Sequence, residues 1–198
     1  MYSEKVHFEL TRRCLLECPK CPRTDLKGNM QITDLPVDIV KSVIQTGKYK
    51  KALLSGNLGD PLYHPQLIDI IKFFNEQRVF FIMATNGSGK KLDWWKNFYN
   101  SYTDGKIVFG VDGLKDTAHL YRKNINFDDS MSAMKLGAQM GKQIVWQFIP
   151  FSFNEHQVEA AQALADTHGI TFKLRLSDRW NDADPLRPKN PQLYMEQT

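Results

Sequence analysis

Cysteine is scarce in this chain of 198 residues: there are three, and none follows Cys21. An odd count crowded into eight residues, where every ring that might close is very short, excludes a disulfide framework. No apolar run approaches the roughly 20 residues of a membrane-spanning helix. The N-terminus has no charged-then-apolar leader, so a reducing cytoplasm is the expected compartment. Charge of one sign is missing too. Lysine and arginine number 26 against 22 acidic residues, and the net +4 is scattered (Lys48, Lys50, Lys51; Lys90, Lys91), as on a solvated surface. No nucleic-acid partner and no membrane association are expected from such a balance. There is no low-complexity stretch and no linker that would divide the chain. Residues 1–198 are therefore expected to form one domain, with an irregular tail from about 178 to 198. A content of 42% hydrophobic and 24% charged residues suits a globular core.

What is present starts with those thiols, spaced Cys14-x3-Cys18-x2-Cys21. Structural zinc closes with four ligands, and an ordinary iron–sulfur cluster takes four thiolates. Three thiolates hold three irons of a four-iron cluster and leave one position open, as a catalytic metal requires. Zinc completed by His7 or His64, or a plain surface cluster of cysteines, remains the alternative at this point.

Short β-rich runs alternate with helical stretches along the rest of the chain. Strands are expected at Val6–Leu10, Lys51–Leu54, Val79–Ala84, Lys106–Val111, Gln143–Phe151 and Ile170–Leu176. Helices are expected at Val37–Thr46, Pro65–Gln77, Leu92–Tyr99, Asp129–Met140 and Glu155–His168, the last stopped by Gly169. Asp129 or Ser130 is the expected cap of the fourth. Trp94, Trp95, Phe98 and Tyr99 have helical spacing and read as core. Six β-then-α units imply an α/β fold with a parallel sheet. A closed eight-unit barrel needs roughly 250 residues, so the choice lies between a partial (β/α)6 TIM-type barrel and a doubly wound sheet. The unusual residues all follow the ends of strands: the cysteines, Gly56-Asn57-Leu58-Gly59-Asp60-Pro61, Thr85-Asn86-Gly87, Asp112-Gly113, and the run from Gln147 to Asn154. Chemistry at one end of parallel strands favours the partial barrel.

Together these segments resemble the radical S-adenosylmethionine (radical SAM) enzymes over nearly the whole chain. The resemblance implies a [4Fe–4S] cluster on Cys14, Cys18 and Cys21, with S-adenosylmethionine (SAM) chelated to the open iron. The Gly56-to-Pro61 segment is similar to the family's Gly-Gly-Glu-Pro loop, with Asp60 in place of Glu. Its implied role is to receive the SAM amino group on backbone at Gly56, Asn57, Gly59 and Asp60, the glycines leaving no Cβ between chain and ligand. Phe109 to Leu114, with His119 and Arg122 downstream, resembles the SPASM/Twitch branch, although Gly110 stands where that branch commonly has Ser. This implies cofactor contacts from Asp112 and from Arg122, whose guanidinium fork suits the SAM carboxylate. Asn86, Gln147 and the backbone of Lys20 complete the implied cofactor contacts.

No cysteine is left for an auxiliary cluster of the SPASM kind. The implied substrate is a peptide or protein, and the implied electron donor is of the flavodoxin or ferredoxin type. Two rivals remain: a glycyl-radical-enzyme activase, and a zinc-binding or metal-free barrel that acts only as a binding module. His7 and Glu9 alternate on the first strand toward the barrel interior, with His7 expected to be buried and satisfied. Arg175, Arg179 and Trp180 come out on the same side as the motifs, where an anionic or planar substrate would pass.

Overall fold

A computed structural model describes residues 4–26, 29–177, 180–181 and 183–195. Its strands are Lys5–Phe8 (β1), Lys51–Leu54 (β2), Phe80–Thr85 (β3), Gly105–Gly110 (β4), Gln143–Phe148 (β5) and Thr171–Leu174 (β6). The helices are Pro22–Asp25 (α1), Val37–Gln45 (α2), Leu67–Glu76 (α3), Leu92–Asn100 (α4), Ala118–Tyr121 (α5), Phe127–Gln139 (α6) and Val158–Thr167 (α7). All five strand pairings are parallel, and the six strands lie in sequence order. A doubly wound sheet would reverse its order at a switch point. Here there is no reversal, so crossovers of one hand put the helices on one face and the sheet curls as an open barrel. Among the described residues β1 and β6 remain as edges.

Alternation along the strands builds two unlike faces. Phe8, Leu54, Phe81, Met83, Ile107, Phe109, Trp146 and Phe148 point to the helices and join one core with Ile70, Phe74, Trp95 and Met134. Each such side chain contributes roughly 1.5–3 kcal/mol by leaving water. Trp95, Phe98 and Tyr99 are fully buried, with the Trp95 ring 5.4 Å from both Tyr99 and Phe109. Trp94 is only half-buried. The other face, carrying Leu53, Ile82, Ala84, Val108 and Gln147, is half-buried and lines the concave side.

Several boundaries differ from expectation, for local reasons. β5 ends at Phe148 because Ile149 gives its N–H to Asp112 and Pro150 has none to give. β1 ends at Phe8 because the next residues leave the sheet: Leu10 accepts from Leu35 N and Thr11 bridges Asp34. The cap of α6 is Asn126, whose side chain accepts from Asp129 N at 3.1 Å. Ser130, one of the two expected caps, is instead buried and donates to Asn86 O at 2.7 Å. The short α1 and α5 have no periodic signal long enough to be read from sequence. No helix of the described residues is long and apolar enough to cross a membrane.

Candidate functional site

The loop after β1 is pinned before its first cysteine. Thr11 donates to Asp34 at 2.6 Å, and Arg13 forks onto the same carboxylate at 3.0 and 3.1 Å. The Arg13 fork holds the Asp34 carboxyl below the usual carboxylate range. Arg23 then staples the loop from inside, reaching the carbonyls of Arg12 and Leu16. Cys21 stands just before α1, with Pro22 at the first helical position, where a missing N–H costs nothing. Cys14, Cys18 and Cys21 all line one cavity of about 200 Å³ at the C-terminal ends of the strands. Burial pushes the Cys14 thiol up to about 12 and raises that of Cys18, so charge-stabilising partners are needed before they serve as thiolates.

The glycine loop after β2 presses directly on the cysteine loop. A Cβ at Gly59 would stand 2.0 Å from Thr11 O and 2.8 Å from Arg12 Cα. The contact is sealed by Asp60 N donating to Arg13 O at 2.8 Å and Leu58 N donating to Glu9 Oε1 at 2.6 Å. Asp60 is more than a glutamate shortened by one methylene. Its buried carboxylate accepts from Leu62 N, Thr85 Oγ1, Asn86 N and Asn86 Nδ2, tying the glycine loop to the loop after β3. Burial raises its carboxyl pKa, and these donors pull the other way. Asn86 in turn places its amide 3.8 Å from Cys14 Sγ and accepts from Tyr63 OH and Ser88 N.

Across the cavity stands Arg122. Its Nε donates to the fully buried Asp112 at 2.7 Å, and the other Asp112 oxygen accepts from Ile149 N at 2.9 Å. Asp112 therefore stands behind the wall as the positioning group for Arg122, and its own carboxylate is spent on protein partners. Burial pushes that carboxyl up against the opposing pull of Arg122. A Cβ at Gly110 would lie 2.7 Å from Arg122 Nη2, so the glycine clears room for the guanidinium. Gly56, Asn57, Gly59, Asp60, Asn86, Gly110, Arg122 and Gln147 all share the cavity of the thiols. Gln147 has no side-chain partner among the described residues.

A second cavity of about 570 Å³ meets the first at Gly56, Arg122 and Gln147. Lys20 lines this one rather than the first; its ammonium pairs with Asp184 and lies 5.3 Å from the Trp180 ring. Trp180 packs with Tyr121 and Phe151 in a small apolar cluster. The tail is thus fastened: Ser152 is held by Leu186 O and Pro185 O, and Glu155 accepts from Lys189 N and Asn190 N. Arg175 lines the same cavity, whereas Arg179 lies outside the described residues. Asn154 serves its own turn, bonding Phe151 N and Ile149 O.

The histidines do not join the thiols. His7 is exposed rather than buried, with Nε2 within reach of Ser55 O and Oγ. Both ring nitrogens of His64 are engaged, by Leu35 O at 3.0 Å and Gln66 N at 3.2 Å. Among the described residues no three Cys, His, Asp or Glu side chains gather closely enough for a single metal ion. The chemistry of the donor set fits a cluster, in which each thiolate takes a different iron, better than mononuclear zinc. The buried Asp60 hub and the Asp112–Arg122 pair were missed by sequence reasoning. The only signal for either was an acidic residue next to a glycine.

No protein-family model matches the chain, and no curated protein matches its sequence. Solved structures do match. SuiB of Streptococcus suis, bound to S-adenosylmethionine, superposes with a TM-score of 0.74 over 100% of this chain and 44% of its own, at 12% identity. Native anSMEcpe with bound AdoMet gives 0.67 over 91% of this chain and 54% of its own, at 14% identity. TsrM of Kitasatospora setae, a radical S-adenosylmethionine methyltransferase, gives 0.65 over 87% and 35%, at 11% identity. The chain spans less than half of SuiB and about half of anSMEcpe. At these identities the likeness is one of architecture: the chain has the open, six-stranded α/β fold of these S-adenosylmethionine-binding proteins.

Proposed function

We propose that this chain is a radical SAM enzyme acting on a peptide or protein. The observation that carries the reading is convergence: three thiols, a glycine loop and a braced arginine meet in one cavity at the C-terminal ends of six parallel strands. Cys14, Cys18 and Cys21 would hold a [4Fe–4S] cluster, and Gly56, Asn57 and Gly59 would admit the methionine end of SAM to the backbone. When bound, cluster and SAM supply one-electron cleavage of the sulfonium, giving methionine and a 5′-deoxyadenosyl radical that takes hydrogen from the substrate.

The chain's own residues have separable tasks in that scheme. Asp112 holds Arg122, whose remaining guanidinium N–H groups would receive the SAM carboxylate. Asn86, fixed by Asp60, would donate toward the Cys14 sulfur. The adenosyl end would extend past Gln147 toward the backbone of Lys20, in the second cavity. A flavodoxin- or ferredoxin-type protein would supply the electron. Asp112-Gly113 with Arg122 favours the SPASM/Twitch branch over a glycyl-radical-enzyme activase.

Anaerobic reconstitution with iron and sulfide tests the reading. The expected product is brown and carries about four irons and four sulfides per chain. A colourless, stoichiometric zinc protein would overturn it in favour of the binding module.

A further inference from the structure

Charge on the concave face of the sheet is mostly of one sign. Ser55, Ala84, Val108, Gly110 and Gln147 line the first cavity and so identify the inward register. Gln147 pairs with Lys173, which places Lys173 on that face, and Arg175, two residues on, lines the second cavity. By the same alternation Lys5, Lys51 and Lys106 face inward, because Lys5 pairs with Lys51 and Lys106 lies two before Val108. The acidic residue in the same alternation is Glu9, and its carboxylate is taken by Leu58 N. Among the described residues the wall of the second cavity has Lys20, Arg122 and Arg175 and no acidic side chain. Lys20 and Arg122 are paired with Asp184 and Asp112. Lys173 and Arg175 are exposed, and their side chains have no partner among the described residues.

Those two cations sit on an edge. Among the described residues β6 pairs with β5 alone, so its other side offers main-chain groups to an added strand. An extended peptide repeats its side chains every second residue, about 7 Å apart, which matches Lys173 in β6 and Arg175 one residue beyond its end, where Arg175 N still donates to Phe148 O at 2.8 Å. Resting on the radical SAM reading, we infer that the substrate is an acidic peptide segment. It docks along the β6 edge with alternate carboxylates on Lys173 and Arg175, and delivers a neighbouring residue past Trp180 into the second cavity.

Fluorescence anisotropy on the purified full chain tests this without any turnover. The probe is a labelled short peptide of alternating glutamate and serine; the comparison probes replace glutamate by glutamine, or the peptide by a mixed-sequence single-stranded oligonucleotide. The glutamate peptide is expected to bind, more weakly as salt is raised. The K173E/R175E double variant should weaken binding at least about tenfold. The K48E/K50E variant makes the same change in net charge on a distant exposed loop and should bind like the parent. Equal loss in both variants, equal binding of the glutamine peptide, or tighter binding of the oligonucleotide would each overturn the inference. Binding does not depend on SAM cleavage, so a chain that binds the peptide but never cleaves SAM would refute the radical reading alone.

Discussion

Cys14→Ala, Cys18→Ala and Cys21→Ala are each expected to reduce reconstituted iron to a small fraction of the parent's and to abolish SAM-dependent chemistry. The three thiols share one cavity, and the described residues bring no fourth protein donor to it: His7 and His64 are engaged elsewhere, and Asp60 spends its carboxylate on four donors. A site with three ligands and no reserve tolerates no deletion. The loop itself should survive, since Asp34, Arg23 and Thr24 hold it and the sulfurs add only longer contacts of 3.4–3.9 Å. Iron analysis and a thermal melt on the same samples separate the two effects: iron falls while the apo melting temperature stays near the parent's. A variant that keeps full iron would show that its cysteine is no ligand.

The second large effect is expected at Gly59. An added Cβ would stand 2.0 Å from Thr11 O and 2.8 Å from Arg12 Cα, and neither atom belongs to a side chain that might swing away. That backbone is anchored by Arg12 N to Thr33 O and by Asp60 N to Arg13 O, so relief requires breaking a bond between the two loops. Gly59→Ala should therefore cost about 3 kcal/mol or more, which lowers the melting temperature by roughly 6–12 °C in a chain of this length. Gly141→Ala is the control. Gly141 has φ of +71° and nothing within 4 Å of an added Cβ, so only the left-handed backbone is penalised, by about 1–2 kcal/mol. A Gly59→Ala variant that melts no lower than Gly141→Ala would contradict the close contact between the two loops.

Much of the architecture was legible because it depends on local pattern. The apolar run Val79–Ala84 marks β3, and the spacing of Leu67, Ile70, Ile71 and Phe74 marks the buried side of α3. The placement of the motifs after successive strands pointed to the end of the barrel where the cavity lies. What escaped depends on contacts distant in sequence. Nothing near Asp60 shows that its carboxylate will meet Thr85 and Asn86, 25 and 26 residues on. Nothing near Gly110 shows that Arg122 will fill the space a side chain would need. Asp112 was a ligand contact only by resemblance to the SPASM/Twitch segment, since Asp-Gly by itself marks many turns; in the structure it is buried, with its carboxylate on two protein partners. The tail read as irregular, yet Asp184, Leu186 and Trp180 build part of the second cavity's surroundings. Composition alone cannot register that closure, since it rests on a few side chains and main-chain groups.

The most direct measurement is the formation of 5′-deoxyadenosine when the reconstituted protein is incubated anaerobically with SAM and dithionite, followed by chromatography. 5′-Deoxyadenosine and methionine are expected to accumulate together, with reductant and cluster both required, and neither is expected to form with any of the three cysteine variants. A fully loaded cluster that leaves SAM intact, or 5′-deoxyadenosine that persists after Cys14, Cys18 or Cys21 is replaced, would contradict the radical SAM reading.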